Sequence, residues 1–140
     1  LVDQNFVFIK GSIFDQITLR DERYSLEDVK RVMKLCGLHE KVLSFENGYD
    51  TAADESMFSK GECQLLSIAR ALLADPKILL LDEMSANLDS LNENRMLEVI
   101  DAISKDRLIL SITHHKEILR SNDQIIYLKN GKRVTSLDDI

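Results

Sequence analysis

The stretch "ILLLDEMSANLD", residues 78–89, is an apolar run that ends in two adjacent carboxylates. The apolar residues 78–81 predict a buried strand, and an all-apolar strand is typical of a parallel sheet with helices on both faces. Asp82 and Glu83 follow the strand directly. Their carboxylates are therefore expected at the carboxyl end of the sheet, where open α/β sheets bind ligands.

The sequence on either side of this strand predicts an α/β core. Before it, residues 59–76 have a helical apolar pattern that Pro76 terminates. The inward residues expected there are Leu65, Leu66, Ala69, Leu72 and Leu73. After it, a helix from about residue 91 to 104 leads to a second apolar strand, "RLILSIT", so that strand, helix and strand form a βαβ unit. The inward residues expected on that helix are Met96, Leu97, Ile100 and Ile103.

The first half of the chain has a helical pattern. "SLEDVKRVMKLCG" begins with a capping box, Ser25 with Asp28, and ends at Gly37, where a helix C-cap is expected. Its predicted apolar stripe is Leu26, Val29, Val32, Met33 and Cys36. Shorter helices are predicted in "SIFDQI" and "HEKVLSF", and the end of the chain predicts a hairpin that turns at Asn130-Gly131. We expect a helical region over about residues 8–66 and an α/β core over about residues 67–140.

Composition limits the classes of function. The 140 residues fit one domain or part of one. The 24 acidic and 18 basic residues are interspersed and give a net charge of −6, so no nucleic acid partner is expected. The longest purely apolar run is far shorter than the roughly 18 residues of a membrane span. Cys36 and Cys63 form no C-x-x-C pair, and we expect reduced, buried thiols of a cytosolic protein.

Three places in the sequence fit phosphate chemistry, and each has a plain structural alternative. Asp82 and Glu83 suit a magnesium ion and an attacking water, or belong to a solvated loop. Ser59 and Gly61 begin a long helix whose free N–H groups favour an anion, or Ser59 is an ordinary N-cap. His114 ends the second strand at the sheet edge of Asp82, where its imidazole can hydrogen-bond a phosphate or serve structure alone.

The order of these segments resembles the nucleotide-binding domain of ABC transporters. The matching motifs are the Q-loop "LVDQN", the signature "FSKGE", the Walker B strand "ILLLDE", the D-loop "ANLD" and the H-loop "SITHH". "SIARALLADPKILLLDE" is the most specific match, and "GSIFDQITL" with "GYDT" resembles the exporter branch. The resemblance implies a partial P-loop ATPase core, with a parallel sheet and flanking helices, plus an α-helical signature subdomain.

The resemblance also implies ATP and Mg²⁺ as ligands and a role for each motif residue. Asp82 and Gln4 correspond to the metal-associated residues, and the catalytic set is Glu83 as general base, Gln4 and His114. ATP bound to an opposite subunit is contacted by the signature and D-loop residues Ser59, Lys60, Gly61, Glu62 and Asp89. The implied partners are a second nucleotide-binding domain, in a homodimer or heterodimer, and a transmembrane domain, with the chain on the cytoplasmic side of the membrane.

The sequence departs from the family pattern at several positions. It contains no G-x-x-x-x-G-K-[ST] phosphate loop. The resemblance implies that this loop lies upstream of Leu1, so the isolated chain is expected to hydrolyse ATP negligibly. Lys60 replaces the usual glycine of the signature, and Glu62 replaces the usual glutamine. The resemblance implies a composite site, in which ATP bound to one domain is contacted by the signature of the other. With these two replacements, a weakly active composite site is one of the expectations.

Two alternatives to an exporter ATPase remain at this point. One is a non-catalytic truncated domain that acts only through interactions. The other is a DNA-repair type of ATPase, but that class inserts a long coiled coil between the Q-loop and the signature. Here only 55 positions separate Gln4 from Ser59 (59 minus 4), with no sustained heptad.

Overall fold

A computed structural model describes residues 1–2, 5–83, 90–113 and 123–135. In chain order, the described elements are α1 (Ile13–Thr18), α2 (Leu26–Leu35), α3 (His39–Leu43), α4 (Lys60–Leu73), β1 (Ile78–Asp82), α5 (Ser90–Ile103), β2 (Leu108–Ile112), β3 (Tyr127–Lys129) and β4 (Lys132–Val134). Two short 3-10 turns, Gly48–Asp50 and Glu55–Met57, connect α3 to α4. The predicted α/β class is confirmed.

Serine capping boxes define where α1 and α2 begin. Ser12 caps α1 and Ser25 caps α2, each paired with an aspartate three residues later. Gly37 follows α2 with a positive φ of 69°, a backbone conformation that favours glycine. The predicted boundaries of α2 are confirmed, and of its predicted apolar stripe Val29, Val32, Met33 and Cys36 are buried, whereas Leu26 is not. It is 43% exposed because it is the first residue of the helix, at the surface end of the stripe.

Helix α4 lies at the centre of the core and packs against α1, α2 and α5. Its predicted inward residues, Leu65, Leu66, Ala69, Leu72 and Leu73, are all buried. Arg70, near its last turn, donates from Nε to the carbonyl of Gln16 over 2.8 Å and stacks 4.1 Å from the Phe6 ring centroid. These contacts fix α1 and the segment around Phe6 against α4. Because α4 crosses residue 66, the proposed division into two regions stays a prediction.

The parallel βαβ unit forms as predicted. Strand β1 pairs with β2 in the register Ile78 to Leu108 through Asp82 to Ile112, and α5 connects the two strands. Val2 forms a parallel bridge on the other edge of β1, opposite Leu81. Met96 and Ile103 of α5 are buried as predicted, whereas Leu97 and Ile100 are only partly buried. The buried residue that the prediction missed is Val99, at 4% exposure.

Among the described residues, one face of the parallel sheet is buried and the other is exposed, so the expectation of helices on both faces stays a prediction. Leu79 and Leu81 are each 1% exposed, whereas Ile78 and Leu80, on the opposite face, are 59% and 39% exposed. The β2 residues in register with them are also exposed. This apolar sheet face comprises Ile78, Leu80, Leu108, Leu110 and Ile112.

We expect the isolated chain to self-associate through this apolar sheet face, because contiguous apolar surface and a strand edge both favour pairing between copies. Light scattering over a concentration series should show a mass that rises with concentration. The double variant Leu80→Lys with Leu110→Lys should lower that mass. Leu91→Lys is the matched control, since Leu91 is 73% exposed but lies on α5. A monomer at every concentration would contradict the expectation.

The predicted hairpin is confirmed. β3 and β4 pair antiparallel, with Lys129 opposite Lys132. Asn130 and Gly131 form the turn with positive φ angles of 51° and 75°, as a tight two-residue hairpin turn requires.

Candidate nucleotide site

Asp82 and Glu83 lie at the carboxyl end of the parallel sheet, where the sequence placed them. Asp82 is the last residue of β1, is exposed, and stands opposite Ile112 of β2. Its backbone N–H donates to the carbonyl of Val2 over 3.4 Å. Glu83 is half-buried, and its backbone N–H donates to the carbonyl of Ile112 over 2.9 Å. The two carboxylates therefore follow a strand that is held on both sides.

The backbone of Glu83 is strained. Its φ of +46° lies in the left-handed region, which costs a non-glycine residue about 1–3 kcal/mol. The hydrogen bond to Ile112 helps to hold this conformation at the point where β1 ends. Leu19, Arg20, Asp75 and Asn130 also have positive φ angles, so the conformation alone does not mark a functional residue; Glu83 differs from them in following Asp82 at the carboxyl end of the parallel sheet.

The signature segment, residues 58–62, forms the N-terminus of α4. Ser59 is the N-cap: its Oγ accepts from the Glu62 backbone N–H over 3.2 Å, and its own N–H donates to Glu62 Oε2 over 2.8 Å. Lys60 is exposed in the first turn. The amides at the start of a helix have no intrahelical acceptor, and the helix dipole favours an anion there. The segment thus combines an ordinary capping box with a geometry suited to phosphate.

A lysine from another helix holds the signature segment. Lys41 of α3 donates from Nζ to Glu62 Oε2 over 2.6 Å, and the same ammonium lies 5.3 Å from the Phe58 ring centroid. Burial of Glu62 opposes ionisation, but hydrogen bonds from Lys41 and the Ser59 backbone outweigh it and lower the pKa of this carboxyl group. Glu62 is consequently a charged residue with a close counter-ion.

Gly61 has a packing role that the sequence did not reveal. A Cβ added there would lie 2.6 Å from both Cβ and Cγ of Asn92, far inside van der Waals contact. Gly61 therefore allows the start of α4 to approach the first turn of α5. Its predicted contact with a phosphate stays a prediction.

The contact between Gly61 and Asn92 connects the signature segment to helix α5, which follows the acidic pair Asp82 and Glu83 in the chain. Helix α5 begins at Ser90, shortly after Glu83, so the chain leaves the carboxyl end of β1 and then packs against the signature segment. The predicted site residues Gln4, Asp89 and His114 lie outside the described residues.

The described residues fit a magnesium ion held jointly with a nucleotide. Within residues 1–2, 5–83, 90–113 and 123–135, no group of three or more His, Cys, Asp or Glu side chains could hold a metal by itself. Magnesium usually keeps several waters and takes one or two carboxylates together with substrate phosphates. The exposed carboxylate of Asp82, at the end of a parallel strand, has the position and chemistry for that arrangement.

Residues 2–86 match the ABC transporter family. This chain belongs to that family. It is 39% identical to the glutathione/L-cysteine transport system ATP-binding/permease protein of Bacillus subtilis over 123 residues, which cover 86% of this chain and 21% of the relative. It is 37% identical to the mitochondrial iron-sulfur clusters transporter of Danio rerio over 134 residues, 94% of this chain and 18% of the relative. It is 38% identical to the alpha-factor-transporting ATPase of Saccharomyces cerevisiae over 136 residues, 96% of this chain and 10% of the relative.

The ABC transporter resemblance drawn from the motifs is therefore confirmed, as is the partial P-loop ATPase fold with its helical signature part. The chain spans 10–21% of the length of these relatives. Its 140 residues contain the ABC signature and Walker B motifs without a G-x-x-x-x-G-K-[ST] loop. Across the described part of the chain, no helix combines the length and apolar character that crossing a membrane requires.

Proposed function

We propose that this chain is part of the ATP-binding and hydrolysing domain of an ABC exporter, acting at the cytoplasmic side of a membrane. The observation that carries the proposal is the acidic pair at the carboxyl end of β1, with Glu83 in a strained turn, in a chain of the ABC transporter family. The relatives' names describe transport of glutathione, L-cysteine, iron-sulfur clusters and alpha-factor. The substrate that accompanies this chain is selected by a transmembrane partner.

In this mechanism Asp82 binds the metal and Glu83 is the general base, and Gln4 and His114 complete the site. Asp82, together with Gln4, would hold Mg²⁺ beside the nucleotide. When bound, the ion would neutralise negative charge on the phosphates of the nucleotide. Glu83 accepts a proton from the attacking water, and His114 donates a hydrogen bond to the terminal phosphate.

The signature segment serves a second nucleotide-binding domain. In a head-to-tail pair, identical or unlike, Ser59 and the first-turn amides of α4 contact ATP held by the opposite domain. Lys60 adds a positive charge beside the terminal phosphate of that ATP, and Asp89 takes part in communication between the two domains. The position of Ser59 supports this assignment, because as the N-cap of α4 it places its hydroxyl beside the first-turn amides.

We expect the chain alone to bind MgATP weakly and to hydrolyse it negligibly, because its sequence contains no G-x-x-x-x-G-K-[ST] loop, which supplies a backbone cradle and a lysine for the phosphates. Calorimetric titration with MgATP tests binding, and phosphate release tests hydrolysis. A chimera in which this chain replaces the matched segment of the Bacillus subtilis relative should recover both. Tight binding by the chain alone would contradict this account of the site.

The chimera also separates the proposal from a non-catalytic role. A chimera that folds and binds MgATP but hydrolyses it no faster than a Glu83→Gln version would favour a domain that acts through interaction alone. A DNA-repair type of ATPase is disfavoured, since the transporters named above align over 86–96% of the chain.

A further inference from the structure

Glu62 places a negative charge next to the segment that is proposed to contact ATP. The family's signature usually has a neutral glutamine at this position, as the motif comparison indicates. A carboxylate in the first turn of α4 suits the helix dipole but repels the terminal phosphate of a nucleotide. The chain therefore needs a way to offset this charge if the signature segment is to bind an anion.

The structure provides the offset through Lys41. Glu62 Oε2 accepts two hydrogen bonds, from the Ser59 backbone N–H over 2.8 Å and from Lys41 Nζ over 2.6 Å. The Glu62 and Lys41 side chains are only 15% and 33% exposed, so water screens this pair less than a surface pair. The Lys41 ammonium also lies 5.3 Å from the ring centroid of Phe58, which is buried. Lys41 thus contacts residues on both sides of Ser59.

A second Lys–Glu pair shows what an ordinary surface contact looks like in this chain. Lys30 and Glu27 are 2.7 Å apart, but they lie three positions apart on α2, and Glu27 is 79% exposed. That pair connects no two elements. The Lys41 pair instead joins α3 to the N-terminus of α4 across 21 positions of sequence.

We propose that Lys41 is a positioning residue for the signature segment: it balances the charge of Glu62 and holds the carboxylate in its cap, so that the Ser59 hydroxyl and the Lys60 and Gly61 amides, which the capping box does not use, can receive a phosphate. The proposal rests on the function proposed above. It assigns a role to a helix outside all of the family motifs in the chain. It also accounts for how a signature that ends in glutamate can still meet an anion.

The first test needs no nucleotide. Urea unfolding of the chain compares Lys41→Met, Glu62→Gln and the double variant. Each single variant leaves one charge uncompensated, whereas the double variant leaves none. We therefore expect the unfolding constant of the double variant to be about fivefold lower than the product of the two single effects predicts. The matched cycle with Lys30→Met and Glu27→Gln should be additive within about twofold. Equal non-additivity in the two cycles would overturn the proposal.

The second test measures the ATPase kinetics of the chimera, to determine whether Lys41 affects the contact between the signature segment and ATP. Lys41→Met should raise the KM for ATP about 5–10-fold with a smaller effect on kcat, since repulsion weakens binding in the ground and transition states alike. Adding Glu62→Gln to Lys41→Met should return the KM to within about twofold of that of the starting chimera. Lys41→Arg alone should leave the KM close to the starting value. Added salt should reduce the increase in KM that Lys41→Met causes. Lys30→Met should leave the KM unchanged.

The outcomes distinguish this proposal from the one on which it rests. If Lys41→Met lowers stability but leaves the KM unchanged, Lys41 is merely structural and the positioning role is wrong. If the unsubstituted chimera folds but has no ATPase activity, the proposed function fails. The urea cycle then still decides whether Lys41 and Glu62 are coupled.

Discussion

Replacing Glu83 with glutamine is expected to lower the ATPase rate of the chimera by at least about 100-fold, the smallest contribution usual for a positioned general base. Glutamine keeps the size of glutamate and can still hydrogen-bond a water, but it cannot take the proton. Glutamine and glutamate disfavour the φ of +46° at this position to the same extent, so the substitution does not change the backbone strain. MgATP binding should stay close to that of the unsubstituted protein. Phosphate release and calorimetric binding, measured on the same preparation, check the two halves of the prediction.

Two further variants make this result specific. Glu98→Gln removes an exposed carboxylate of α5 and should leave the rate unchanged. Asp82→Asn should instead raise the magnesium concentration needed for half-maximal activity, because Asp82 is assigned to the metal. If Glu83→Gln retains more than about a tenth of the rate, or loses ATP binding together with activity, Glu83 is not the general base.

The local parts of this fold could be predicted because each depends on residues close in sequence. The capping box of Ser25 and Asp28, the apolar spacing along α4 and the Asn130-Gly131 turn each involve a few neighbouring residues, and all three form as expected. The parallel pairing of β1 and β2 was predictable for a related reason, since a helix between two apolar strands returns the chain in the same direction.

The features that the sequence did not reveal depend on contacts between residues far apart in sequence, or on which elements cover a given surface. Lys41 reaches Glu62 over 21 positions, and no local pattern marks that lysine. The one available signal was Glu62 itself, because an acid in place of a neutral signature residue calls for a counter-ion. The exposure of the second face of β1 was not evident from the sequence, because an apolar strand shows how much surface could be buried, not whether another element covers it.

The strained turn at Glu83 was hidden for another reason. Glutamate has no preference for positive φ, so nothing in "LLDEM" predicts a left-handed residue there. The conformation is imposed by the end of β1, where the Glu83 N–H bonds the carbonyl of Ile112. Local prediction is expected to fail where the backbone of a residue conflicts with that residue's own preference, as it does at Glu83.

Gly61→Ala is expected to destabilise the chain by about 1–3 kcal/mol, the usual cost of adding a methyl group to a closely packed contact. The sign is the informative part, because the same substitution in an open helix stabilises by roughly 1 kcal/mol. The new Cβ would lie 2.6 Å from Cβ and Cγ of Asn92, and these atoms are not the free end of a long side chain. Helices α4 and α5 would have to separate at the point where the signature segment meets the chain that leaves the Walker B strand. Urea unfolding of the two proteins measures the difference.

The Asn92→Gly background identifies the cause, because it removes the three atoms nearest to the added Cβ, which are Cβ, Cγ and Nδ2 of Asn92. Glycine on α5 has its own cost, so the informative quantity is the effect of Gly61→Ala in that background, which should shrink or reverse sign. A Gly61→Ala protein that is as stable as the original but has lost MgATP binding in the chimera would assign Gly61 to phosphate approach instead. Loss of stability that Asn92→Gly relieves, with binding lost in proportion, would show that this glycine acts by letting two helices meet. The composite site would then depend on how closely α4 and α5 approach, and not only on the residues that contact the nucleotide.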